Sequence, residues 1–106
     1  MERKIEEIVS KNYQNPHFNV NGLSSKLNIS RVHLNSIMNF GFGCSPQVYI
    51  EKIRIEKAQQ SLLEGKKIID VCKEAGYCNK KTFHLAFKKI TGITPNYYRI
   101  ITNAKD

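Results

Sequence analysis

The strongest constraint on what this chain can fold into is an internal repeat. Ser30 and Asn79, Leu34 and Phe83, Met38 and Phe87, Gly43 and Gly92, Ser45 and Thr94, Pro46 and Pro95, and Tyr49 and Tyr98 all stand 49 positions apart. Further upstream the offset is 48: Val20 matches Ile68, Leu23 matches Val71, Leu27 matches Ala75 and Asn28 matches Gly76. A change of one residue in the turn accounts for the shift. Any two amphipathic helices share apolar spacing, so those matches alone decide little. The recurrence of G-x-[ST]-P-x-x-Y is much harder to obtain by chance and calls for two copies of one supersecondary unit.

Each copy reads as a short helix, a tight turn and a second helix. In the first, Asn19 caps a helix carrying Val20, Leu23 and Leu27. Asn28, tolerant of left-handed backbone, makes the turn. Ser30 caps the next helix, with Leu34, Ile37 and Met38 inward and Gly41 and Gly43 at its end. In the second copy Ile68, Val71 and Ala75 form the short helix and Gly76 the turn. Asn79 then caps a helix with Phe83, Phe87 and Ile90 inward, ending at Gly92. Glu2 to Tyr13 reads as a leading helix with Ile5, Ile8 and Val9 on one face, broken by Asn15-Pro16. Thr94-Pro95 opens a last helix through Tyr98 and Ile101.

Between the copies lies one long helix, Ser45 to Leu63. Ser45 is a good N-cap, Pro46 suits the first helical position, and Tyr49, Ile50, Ile53, Ala58 and Leu62 follow the helical period until Gly65. No strand pattern is found. The expected fold is all-α, with about seven helices. Two helix–turn–helix subdomains, residues 1–44 and 65–106, are joined by a linker helix over 45–64.

A length of 106 residues allows one domain, or two small lobes sharing a connector. The hydrophobic fraction of 41% is that of a globular chain. No apolar run reaches the roughly 18 residues that a membrane helix needs, and MERKIEEIVSK reads as a charged amphipathic start rather than a signal peptide. Cys44, Cys72 and Cys78 are an odd number with no C-x-x-C pair, which fits free thiols in a reducing cytoplasm. Cys78 and His84 fall short of a zinc ligand set, so no metal and no cofactor is expected. Cys72 reads as a small core residue.

The net charge of +8 favours a polyanionic partner. Helix, tight turn and second helix is also the geometry that seats a recognition helix in a DNA major groove. Burying the apolar positions leaves Arg31, Val32, Asn35, Ser36 and Asn39 outward on the first such helix, and Lys80, Lys81, His84, Leu85 and Lys88 outward on the second. Both outer faces lack acids. The nine acidic residues lie mostly in the first helix, the long helix and the stretch from Glu64 to Glu74. Arg and Asn side chains can pair bidentately with guanine or adenine edges, whereas Lys suits phosphates. The first helix is thus expected to carry more of the sequence reading and the second more of the affinity. A linker of about 19 residues spans about 28 Å, close to one turn of B-DNA at roughly 34–36 Å. Two tandem units would then reach successive major grooves of an asymmetric, non-palindromic site.

Two other classes compete. A basic helical adaptor for an acidic protein or an anionic membrane would show one contiguous basic amphipathic helix, but here the charge sits on two separate helices. An enzyme would need a nucleophile with its base, paired carboxylates or a phosphate-cradling loop. None is found, and His33 and His84 lack partners for a triad.

The run I-x-x-V-C-x-x-A-G-Y-x-N-x-x-x-F-x-x-x-F-K-K-x-x-G-x-T-P-x-x-Y-R, from Ile68, resembles the signature of the AraC/XylS transcription regulators. Tyr49-Ile50 with Arg54, Ala58 and Leu62-Leu63 resembles that family's linker helix. The resemblance covers about Ile5 to Ile101 and is most specific in the second half. The first half departs at Ser36, Met38 and Asn39-Phe40. The resemblance implies base-reading contacts by Arg31, Val32, Asn35, Ser36, Lys80, Lys81 and His84. Backbone contacts are expected from Ser30, Asn39, Asn79, Lys88 and Thr94. It also implies double-stranded DNA as partner, activation through RNA polymerase, no membrane, and a monomeric domain working at the nucleoid in the cytoplasm, dimeric if part of a longer chain. Many family members carry a ligand-sensing domain ahead of this one. A start at Met1 fits a stand-alone short regulator or the DNA-binding part of a longer protein. Two packing expectations complete the reading. Phe40 and Phe42 should pack against the long helix, and Arg54 should pair with an internal carboxylate rather than touch DNA.

Overall fold

A computed structural model describes residues 1–103. Among the described residues seven helices follow one another: α1 (Glu2–Asn12), α2 (Val20–Leu27), α3 (Arg31–Gly41), α4 (Pro46–Leu63), α5 (Ile68–Glu74), α6 (Lys80–Thr91) and α7 (Pro95–Asn103). There is no strand among the described residues.

The helix boundaries follow the capping chemistry of the sequence. The Asn19 side chain accepts from Gly22 N at 2.9 Å, Ser30 from His33 N at 3.1 Å and Ser45 from Val48 N at 3.3 Å. Asn79 accepts from Thr82 N at 2.8 Å and Thr94 from Tyr97 N at 3.1 Å. Each satisfies an amide that the helix itself leaves unpaired.

The repeat is equally visible in the turns. Asn28 (φ 57°) and Gly76 (φ 95°) both adopt left-handed backbone. Ile29 N donates to Ser24 O at 3.1 Å, and Tyr77 N donates to Cys72 O at 3.0 Å. These bonds keep the offset of 48, while the caps at Ser30 and Asn79 are 49 apart. Cys78, between Tyr77 and Asn79, is therefore the extra residue of the second turn.

The chain is elongated, 45 × 23 × 22 Å, because it is built on two cores in a row. The first comprises Ile5, Val9, Phe18, Leu23, Leu27, Leu34, Met38 and Ile50. The second comprises Ile55, Ala58, Leu62, Val71, Cys72, Ala75, Tyr77, Phe83, Ala86 and Phe87. Helix α4 walls both, contributing Ile50 to one and Ile55, Ala58 and Leu62 to the other. The handover falls at residue 54. Each fully buried aliphatic or Phe side chain contributes about 2–3 kcal/mol of transfer free energy, so both cores are substantial for their size.

The equivalent tyrosines pack differently. Tyr49 lies 4.8 Å, ring to ring, from Phe42, whereas Tyr98 lies 5.6 Å from Phe87. Phe87 matches Met38 in the repeat, so the first unit takes its aromatic partner from the loop after α3 instead. Phe42 packs against α4 as expected.

Two packing expectations need correction. Phe40 is 95% exposed, because the turn of α3 that places Met38 and Ile37 against the core carries residue 40 to the opposite face. Arg54 is buried but meets no carboxylate. Its Nε donates to Tyr13 O at 2.9 Å, and its Nη2 donates to Asn15 O at 3.1 Å and Phe18 O at 2.9 Å. The loop between α1 and α2 has no helical bonds for these carbonyls, and the planar guanidinium fork spans all three.

Candidate nucleic-acid interface

Helices α3 and α6 each follow a left-handed turn, and each buries one stripe. Leu34 and Met38 are fully buried on α3, as are Phe83 and Phe87 on α6. On the other side Arg31, Val32, Asn35, Ser36 and Asn39 of α3 are exposed, as are Lys80, Lys81, Leu85 and Lys88 of α6. Ser30, Asn79 and Thr94 sit exposed at the N-caps of α3, α6 and α7, their side-chain oxygens each engaged by a backbone amide. Asn39 folds back on its own helix, its Nδ2 donating to Asn35 O at 2.7 Å.

His84 corrects the expected outer face of α6. It is half-buried, edge-on to Phe83, and its Nε2 is shielded from solvent without a hydrogen-bond partner. Leu85, next in sequence, takes the solvent position at 66% exposure. At about 100° per residue His84 stands at the boundary of the stripe beside Phe83, while Leu85 is carried to the opposite face.

An opening beside each of α3 and α6 reaches the start of α4. A groove beside α3 is bordered by Arg31, Val32, Asn35, Pro46 and Gln47. A cleft of about 430 Å³ beside α6 is bordered by Asn79, Thr82, Leu85, Lys89, Glu51 and again Gln47. Gln47 therefore borders both openings.

The ion pairs among the described residues are Lys11–Glu7, Lys66–Glu74 and Lys89–Glu51, at 3.1, 3.0 and 2.9 Å. None engages Arg31, Lys80, Lys81 or Lys88. The charge on both outer faces is thus uncompensated, the condition under which phosphate contacts displace counterions. Lys89 neutralises Glu51, the acid lining the cleft beside α6. Among the described residues no group of three or more His, Cys, Asp or Glu side chains could hold a metal, and no helix is long and apolar enough to cross a membrane.

This arrangement matches known proteins. A family model described as a helix-turn-helix domain covers residues 23–100. The chain belongs to the AraC-type family of DNA-binding transcription regulators. The C-terminal domain of the two-component response regulator yesN from Fusobacterium nucleatum superposes with a TM-score of 0.86 at 31% identity, covering 92% of this chain and 96% of that one. The C-terminal domain of AraT, a response regulator from Geobacillus stearothermophilus, gives 0.87 at 30% identity, covering 93% and 83%. Among full-length relatives, the lactose operon transcription activator of Staphylococcus xylosus is 32% identical over 94 residues, 88% of this chain and 33% of its own length. The chain thus spans about a third of the length of the curated relatives it first matches.

Proposed function

We propose that this domain binds double-stranded DNA sequence-specifically as a monomer, laying α3 and α6 into successive major grooves of an asymmetric site. The observation that carries the reading is the pair of outer faces: two capped helices, both free of acids, both with unpaired basic side chains, joined by a single long helix. The 18 residues of α4 measure about 27 Å, in keeping with two units one duplex turn apart.

Within this reading Arg31, Val32, Asn35 and Ser36 read one block. Lys80 and Lys81 meet the other, joined by Leu85, whose exposed methyls suit a thymine methyl group. Ser30, Asn39, Asn79, Lys88 and Thr94 meet the backbone. Residues 1–44, 45–64 and 65–106 serve as first reader, spacer and second reader. Activation through RNA polymerase, at the nucleoid in the cytoplasm, extends the reading, supported by relatives named as activators. The chemistry is binding alone, with no catalytic step.

Selection of bound sites from random duplex DNA at moderate salt tests the proposal. The expected result is an asymmetric motif of two blocks about one helical turn apart. Binding without enrichment, or capture by polyanions regardless of sequence, would favour the basic adaptor for an acidic protein.

A further inference from the structure

Arg54 is the one buried charged side chain among the described residues. It stands where α4 passes from the first core to the second, between Ile50 and Ile55. On one side its guanidinium holds the carbonyls of Tyr13, Asn15 and Phe18, all in the loop that closes the first unit. On the other it lies 5.6 Å from the ring centroid of Tyr77, which belongs to the second core. A cation over an aromatic face at this distance is attracted by the ring quadrupole, more so when desolvated. Beside it, Gly76 sits against Tyr13 O so closely that a Cβ would collide with that carbonyl, and such a Cβ would stand 3.0 Å from Arg54 Nε. The loop of the first unit and the turn that aims α6 therefore meet at one guanidinium.

We infer that Arg54 is a positioning residue that locks the two helix–turn–helix units into one rigid body and so sets the base-pair spacing the domain accepts. The physics is that of linked binding modules. A stiff connection gives a high effective concentration for the second contact at one geometry and loses it when the sites no longer match, whereas a loose connection tolerates mismatch at lower affinity. Arginine suits the role because five donors in a planar fork can hold three carbonyls at once, which a lysine ammonium cannot do in the same geometry.

The inference rests on the DNA-binding reading, so its test has two parts. In the first, the selected site and a version with two base pairs inserted between its blocks are titrated. The insertion moves one block by roughly 7 Å and turns it by roughly 70°. The unaltered domain should lose about tenfold or more in affinity, while Arg54→Met should bind its best site more weakly and lose less than about threefold on insertion. Equal losses would overturn the inference. In the second part, native-state hydrogen exchange is followed without DNA. Amides of α1–α3 and α5–α7 should open together in the unaltered domain and separately in Arg54→Met. Joint opening in both would overturn the lock. This measurement holds whether or not the domain binds DNA, so failure of the DNA reading is told apart from failure of the lock. Should Arg54→Met not fold, Arg54→Lys, which keeps the charge but loses the fork, carries the same expectations.

Discussion

The backbone carbonyl of Tyr13 presses on Gly76, 63 positions later in the chain, with no room between them for a methyl group. Gly76 also has φ 95°, a backbone state that side chains rarely adopt. Gly92, at φ 85°, has the same backbone demand but open space around it. Gly92→Ala should therefore cost about 1–2 kcal/mol, from the left-handed backbone alone. Gly76→Ala should cost roughly 3 kcal/mol or more, since the carbonyl is backbone and cannot swing aside. Urea unfolding of the two variants measures the difference; equal costs would mean that the loop of the first unit does not rest on that turn.

The paired caps give a second expectation. Ser30→Ala and Asn79→Ala should each cost about 1 kcal/mol, because each exposes the amide three residues on. The two caps lie in different units, so the double variant should cost close to the sum. Chemical denaturation of the three variants reads this directly.

Tyr77 predicts alkaline behaviour. Burial pushes its hydroxyl from the ordinary 10.0 up to about 12, with the nearby Arg54 charge pulling the other way. The folded chain thus holds its proton where the unfolded chain has released it. Stability from this group is complete below pH 10 and falls as pH rises from about 10 to about 12. Its oxygen is buried without a partner, so Tyr77→Phe should be neutral or stabilising by up to about 1 kcal/mol at neutral pH. The same variant should lose less stability across the alkaline window. Denaturation midpoints at several pH values, with tyrosinate absorbance followed alongside, check both statements.

On DNA, the two recognition helices should respond differently to truncation. Lys81→Ala should weaken binding to all sequences and reduce the salt slope by about one. Asn35→Ala should mainly erase one base preference, worth about 1–3 kcal/mol of discrimination. Titrations of specific and scrambled duplexes over a range of salt separate these effects, and the reverse pattern would discard the expectation that α3 carries more of the sequence reading and α6 more of the affinity.

Leu85 and His84 offer a sharper contrast. Leu85→Ala should change preference at one position of the second block while leaving the fold intact, since its side chain is largely exposed. His84→Ala should act chiefly on stability. Site selection repeated with each variant, beside thermal melts, distinguishes the two.

Most of this architecture is legible in the sequence because it is written in local chemistry. Asn19, Ser30, Ser45, Asn79 and Thr94 cap helices with their own side chains, and Asn28 and Gly76 take the left-handed turns that their residue types allow. Those interactions span three or four residues, so a linear reading reaches them. Arg54 is different. Its acceptors are backbone carbonyls about 40 positions earlier, and carbonyls carry no sequence signature. Phe40 and His84 turn on the helical period. Phe40 is about 200° round α3 from Met38 and meets no core, while His84 lies at the edge of its stripe, where about 100° per residue leaves a side chain half-buried. Leu85, by contrast, is exposed as its outward position on the lysine-rich helix predicts.

The way α4 is shared has a consequence for dividing the chain. Ile50 closes one core and Ile55, Ala58 and Leu62 close the other, all on a single continuous helix. A cut before or after α4 strips one core of its wall, and a cut at residue 54 leaves each core only a stub of about two turns. The smallest piece that keeps a whole wall is a half together with the entire helix, so two such pieces cannot be joined end to end without one helix too many.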